Sequence, residues 1–119
     1  MPKSSRFYLM FHVNSPAEAY MFYQAAFGAK KIHEEFLPNG DAYITMVIHG
    51  TEILLRPGNP ISSRGMACCV NFAAADDLRR AYSVLIPQGR DYWLDTNAHW
   101  TPLCASVTDK YGVGWFFCV

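Results

Sequence analysis

One pattern occurs twice in this chain, and it constrains the fold more than any single motif. Phe7 to Val13 is an aromatic and β-branched run that reads as a strand, bounded by Asn14-Ser15-Pro16. Those three residues then open a helix. Ser15 is placed to cap it, Pro16 suits the first helical position, and Glu18 completes a capping box. Ala19, Phe22, Tyr23 and Ala26 keep helical spacing, and Gly28 is placed to end the helix. Lys31 to Leu37 and Asp41 to His49 flank the turn Pro38-Asn39-Gly40, and Glu52 to Arg56 gives a further strand. Pro57 to Gly65 breaks the chain.

The order then restarts. Met66 to Phe72 reads as a strand and Ala73 to Ile86 as a helix, with Asp76 and Asp77 near its positive end. Leu78, Ala81, Tyr82 and Leu85 form one apolar face of that helix. Pro87-Gln88-Gly89 stops it, and Asp91 to Leu94, Leu103 to Thr108 and Gly114 to Val119 read as strands. Aligning Val13 with Phe72, or Gly50 with Gly112, superposes the halves at offsets of about 60 residues. The expected fold class is α+β: two tandem βαβββ modules, residues 6–58 and 66–119, joined by a linker at 57–65 within one domain.

Composition removes several functions. With 51% apolar residues and a net charge of zero over 119 residues, the chain can bury a real core and is not disordered. Ten basic residues balanced by ten acidic ones leave no stripe for nucleic acid. No apolar run reaches the ~20 residues of a membrane span, and the N-terminus lacks a signal-peptide pattern. A cytoplasmic chain is expected. The four cysteines, Cys68, Cys69, Cys104 and Cys118, lack C-x-x-C spacing and lie in apolar runs, so they are expected as buried thiols acting as small hydrophobes.

Two segments carry a resemblance. The helix ending Phe22-Tyr23-x-x-x-Phe27-Gly28-Ala29 and the run Val107-Thr108-Asp109-Lys110-Tyr111-Gly112-Val113-Gly114-Trp115, with Trp100 upstream, resemble the vicinal oxygen chelate superfamily and within it the PhnB-like branch. This is the glyoxalase, bleomycin-resistance and extradiol-dioxygenase fold. The resemblance implies a curled mixed sheet around a cup, with helices outside. Strand alternation then places Phe7, Leu9, Phe11 and Val13 under a helix, and Tyr8, Met10 and His12 in the cup. Glu52, Leu54, Arg56, Ala67, Cys69, Asn71, Gly114, Phe116 and Cys118 also face inward, with Trp115 and Phe117 in the outer core.

Metal-using members hold a divalent ion with His, Gln or Glu at four strand positions. Here those positions are Tyr8, Arg56, Ala67 and Phe116, and none is a ligand for a hard divalent ion. No metal and no cofactor is therefore expected. His33 beside Glu34 and Glu35 reads as a solvated strand face. What remains is a cup lined by flat apolar surfaces (Tyr8, Trp100, Phe116), an adaptable one (Met10) and polar handles (His12, Glu52, Arg56, Asn71), which suits a small planar or amphipathic molecule. Arg56 stands where a metal would stand and could hold a ligand carboxylate, phosphonate or phenolate; it could equally reach solvent at a strand end.

The expected function is metal-free binding of such a ligand between the modules. The alternative is a lyase, isomerase or dioxygenase working through a non-standard metal site or through His12 as acid–base, which leaves catalytic residues unassigned. A third is an interaction module whose cup has collapsed on Met10 and Phe116. A small-molecule ligand and a second copy of the chain, as a homodimer, are the expected partners.

Overall fold

A computed structural model describes residues 6–60 and 65–119. Ten elements run in chain order: β1 (Leu9–Val13), α1 (Pro16–Phe27), β2 (Lys30–Phe36), β3 (Ala42–Ile48), β4 (Thr51–Pro57), β5 (Cys68–Asn71), α2 (Ala75–Leu85), β6 (Arg90–Asp95), β7 (Cys104–Thr108) and β8 (Gly114–Cys118). Each half is a βαβββ module. The strands form two four-stranded sheets, ordered β1-β4-β3-β2 and β5-β8-β7-β6, with one parallel pair in each (β1 with β4, β5 with β8). The expected α+β fold of two βαβββ modules is what the chain adopts, each module contributing its own four-stranded half-sheet, with β1 and β5 as edge strands that do not pair with each other. Residues 61–64 of the expected linker lie outside the described residues.

Local chemistry sets the element ends. Ser15 Oγ accepts from the Glu18 amide at 3.3 Å, Pro16 is the first helical residue, and Gly28 closes α1 in the left-handed region with φ of 69°. Its amide donates to the Gln24 carbonyl, which the C-terminus of α1 would otherwise leave open. At the β2–β3 turn the Leu37 amide donates to the Asp41 carbonyl at 2.7 Å, and Gly40 takes a φ of 92°. The second helix begins without a side-chain cap, and Asp76 and Asp77 occupy its first turn. The first strand starts two residues later than expected, at Leu9, and Phe7 is 87% exposed rather than packed under α1. It lies before the register in which β4 can pair with it.

The core lies on the helix side of both sheets and is continuous between the halves. Phe11 and Val13 from β1, Ile53 and Leu55 from β4, and Ile44 and Met46 from β3 are buried there with Val70, Val107, Trp115 and Phe117. The two helices pack against each other, and α1 also crosses to the second sheet. Phe27 of α1 lies 4.6 Å from the Trp115 ring, and Phe11 meets Trp115 edge-on at 6.1 Å. Trp115 and Phe117 are outer-face core, as expected. The cysteines depart from expectation: Cys104 is buried, Cys68 and Cys118 are partly buried and Cys69 is exposed. Alternation explains it, since Cys68 points at the core and Cys69 away from it.

One buried polar lock joins the halves. Asp109, 3% exposed at the start of the β7–β8 turn, accepts from Tyr23 Oη at 2.6 Å and Trp115 Nε1 at 2.9 Å through one carboxylate oxygen. Its other oxygen accepts the amides of Tyr111 and Val113 at 2.9 and 3.1 Å. Burial holds the Asp109 carboxyl above the usual carboxylate value although all four bonds favour the charge. Burial first, then Asp109, pushes the Tyr23 phenol well up. The Asp109–Tyr111–Trp115 motif of the sequence is therefore a turn anchored to α1.

Candidate ligand-binding site

The faces turned away from the core carry the candidate site, and register sorts its residues. In the first sheet His12 pairs with Arg56 and Met10 with Leu54, so His12, Met10, Arg56 and Leu54 share the open face. In the second sheet Asn71 pairs with Cys118, Cys69 with Phe116, and Phe116 in turn with Ser106. The duplication superposes the His12–Arg56 pair on the Asn71–Cys118 pair, so each module presents one polar row at the same end of its parallel strands.

Tyr8 and Glu52 are already engaged, by a residue the sequence reading missed. The Arg6 guanidinium sits 4.8 Å above the Tyr8 ring and donates to Glu52 Oε2 at 3.1 Å. Tyr8 remains 43% exposed, so this is a solvated cluster, and such a surface pair adds little stability. Arg56 is exposed and makes no ion pair with the described residues. His12 packs its ring against Gly58, where an added Cβ would meet His12 Cδ2 at 3.2 Å.

The second sheet carries an aromatic shelf. Trp100 lies over Phe116 with ring centroids 6.0 Å apart and planes 13° from parallel, and Trp93 meets Phe116 edge-on at 6.1 Å. Trp93 and Trp100 are 46% and 55% exposed, so the shelf faces solvent. Trp93 was not among the expected site residues. Its signal was the register of β6 against β7, which sets Trp93 beside Ser106 only after a bulge between Arg90 and Trp93, where Asp91 takes a φ of 53°.

Two cavities lie along the seam between the modules, related by the duplication. One, of about 190 Å³, is lined by Met10, His12, Ala67, Tyr111 and Gly114 among others. The other, of about 430 Å³, is lined by His49, Thr51, Cys69, Asn71 and Trp115 among others. Met10, His12 and Asn71 thus reach a seam cavity. Tyr8, Glu52, Arg56, Trp100 and Phe116 line neither of the two. The structure brings Tyr8 together with Glu52, His12 with Arg56, and Trp100 with Phe116, and it places the first two pairs on one sheet and the third on the other.

The module order, the two half-sheets and a core shared on the helix side match known structures across nearly the whole chain. The PhnB protein of Bacillus cereus superposes with a TM-score of 0.80 at 17% identity, covering 96% of this chain and 98% of that one. The fold is that of the vicinal oxygen chelate superfamily. The fosfomycin resistance protein FosX of Listeria monocytogenes, solved with Mn(II) and sulfate, superposes with a TM-score of 0.68 at 13% identity, covering 99% and 93%. A glyoxalase-related enzyme of Clostridium phytofermentans gives 0.64 at 12% identity, covering 98% and 95%. No family model matches the sequence, and no curated protein matches it.

FosX was solved with Mn(II), and the residues here do not fit such an ion. Tyr8, Arg56, Ala67 and Phe116 offer no pair of carboxylate or imidazole donors, and a guanidinium repels a cation. Among the described residues no group of three His, Cys, Asp or Glu side chains could hold a metal ion. No described helix is long and apolar enough to cross a membrane.

Proposed function

We propose that this chain is a metal-free small-molecule-binding protein of the glyoxalase and bleomycin-resistance type, which holds a planar, anionic ligand between the open faces of its modules. The Trp100–Phe116 stack supports this reading above all. Two large rings held parallel on a solvent-facing sheet leave apolar surface that a flat ligand would cover. Arg56, free of ion pairs among the described residues, supplies a fixed cation for a carboxylate, phosphonate or phenolate. His12 beside it in register adds a second polar contact. Sequestration asks only for shape and charge, so the replaced metal positions cost this function nothing.

Tryptophan fluorescence titrated with 2-naphthoate and its neutral amide tests this. The carboxylate is expected to quench saturably, and Trp100→Ala to weaken it by about tenfold, the scale of one lost stacking surface. Arg56→Ala should weaken the carboxylate and leave the amide unchanged. A titration equally silent for wild type and both variants would overturn the proposal.

A further inference from the structure

Two thiols face each other across the second sheet, in a position that neither the ligand reading nor the core explains. Cys104 of β7 and Cys118 of β8 are directly opposite in antiparallel register. The hydrogen bonds fix which kind of pair they are. The Val119 amide donates to the Leu103 carbonyl and the Asp109 amide to the Val113 carbonyl, so the opposed pairs at both ends of the ladder are hydrogen-bonded ones. Counting inward by alternation from either end makes Cys104–Cys118 a non-hydrogen-bonded pair. In such pairs the Cα atoms approach to about 4.5 Å, inside the span of about 4.4–6.8 Å that a disulfide bridges.

The surroundings give the two sulfurs different roles. Cys118 is partly exposed, and its thiol donates to Asn71 Oδ1 at 2.7 Å, which holds the sulfur on the open face. Cys104 is 2% exposed. Burial, with Asp95 and Cys118 beside it, holds its thiol above the usual value. Register places Asn71, Cys118, Cys104 and Asp95 in one row across the sheet, next to the row that carries Phe116 and Trp93.

We propose that Cys104 and Cys118 are an oxidisable pair, a modification site for hydroperoxides in which Cys118 reacts first and Cys104 resolves it. The Cys118 thiolate attacks the outer oxygen of hydrogen peroxide, the O–O bond breaks, and the departing hydroxide leaves as water with the proton that Cys118 gave up. The Cys104 sulfur then attacks the Cys118 sulfenic sulfur, the S–O bond breaks, and the hydroxide takes the Cys104 proton and leaves as a second water. Two thiols are oxidised to one disulfide, and one peroxide is reduced to two waters. The inference stands independently of the ligand reading.

The test treats the folded full-length chain with a small excess of hydrogen peroxide, then denatures it, blocks free thiols and maps tryptic peptides. Four titratable thiols are expected to fall to two, with peptide 91–110 linked to peptide 111–119. Cleavage at Lys110 separates the two cysteines, and Cys68 and Cys69 fall in a third peptide. In Cys104→Ala the reaction should stop at a Cys118 sulfenic acid that dimedone captures. Four remaining thiols in wild type, a link involving Cys68 or Cys69, or a link between two chains would each overturn the assignment. The wild-type map decides the matter even where the variant folds poorly.

Discussion

Asp109 shows how much one side chain can be asked to do in this fold. Its two oxygens collect four donors from α1, β8 and its own turn, three of them in buried bonds and the Val113 amide in a part-buried one. Asp109→Asn keeps the shape but turns an NH2 group toward existing donors, and a stability loss of about 2–4 kcal/mol is expected in urea unfolding. The pH dependence follows from the raised carboxyl. The folded chain holds this proton more tightly than the unfolded chain, whose value is near 3.8. Its contribution is therefore fullest below that value and is lost as pH rises through the higher folded one. The stability gap between wild type and Asp109→Asn should narrow over that interval, and a gap that widens would contradict the assignment. At the same scale, neighbouring cysteines should part company. Burial pushes the Cys68 thiol up to about 11, whereas Cys69 is exposed, so brief alkylation of the native chain should mark Cys69 before Cys68.

At the scale of elements, the chain's punctuation was legible because it acts locally. Ser15, Pro16 and Gly28 bound α1 through bonds within a few residues, and Pro38-Asn39-Gly40 closes its hairpin in the same way. Strand ends were less legible. Whether Phe7 belongs to a strand depends on a partner more than forty residues away, and it has none in the β1–β4 register, whereas Thr51 joins β4 through Ile48 across a tight turn. Gly89 looked like a simple helix stop, yet a Cβ there would lie 2.7 Å from the Leu85 carbonyl and 2.9 Å from that of Thr108. Both are backbone atoms, so Gly89→Ala should cost about 2 kcal/mol or more, whereas Gly65→Ala, with open space around it, should leave the thermal midpoint nearly unchanged. Equal midpoints for the two variants would show that the α2–β6 connection can yield.

The molecule measures 50 × 34 × 25 Å, with a radius of gyration of 15.1 Å against about 13–14 Å for a compact domain of this length. The elongation follows from two sheets that share a core on their helix sides and leave their other faces open. Because α1 of the first half packs on Trp115 and Phe117 of the second, neither half keeps its core alone. Unfolding should be a single transition, with far-UV circular dichroism and tryptophan emission coinciding in urea. Separate midpoints would mean that the duplicated modules fold independently.

The amino-acid order alone determined the duplication, the βαβββ sequence of elements, the caps and the split of each strand into a core side and an open side. Those properties rest on periodicity and on hydrogen bonds within a turn or two. Only the tertiary structure decided that the sheets remain two, that Arg6 occupies Tyr8 and Glu52, that Trp93 joins Trp100 and Phe116, and that Cys104 meets Cys118. Each of these depends on register between strands distant in sequence, and a bulge of one residue is enough to change which side chain stands beside which.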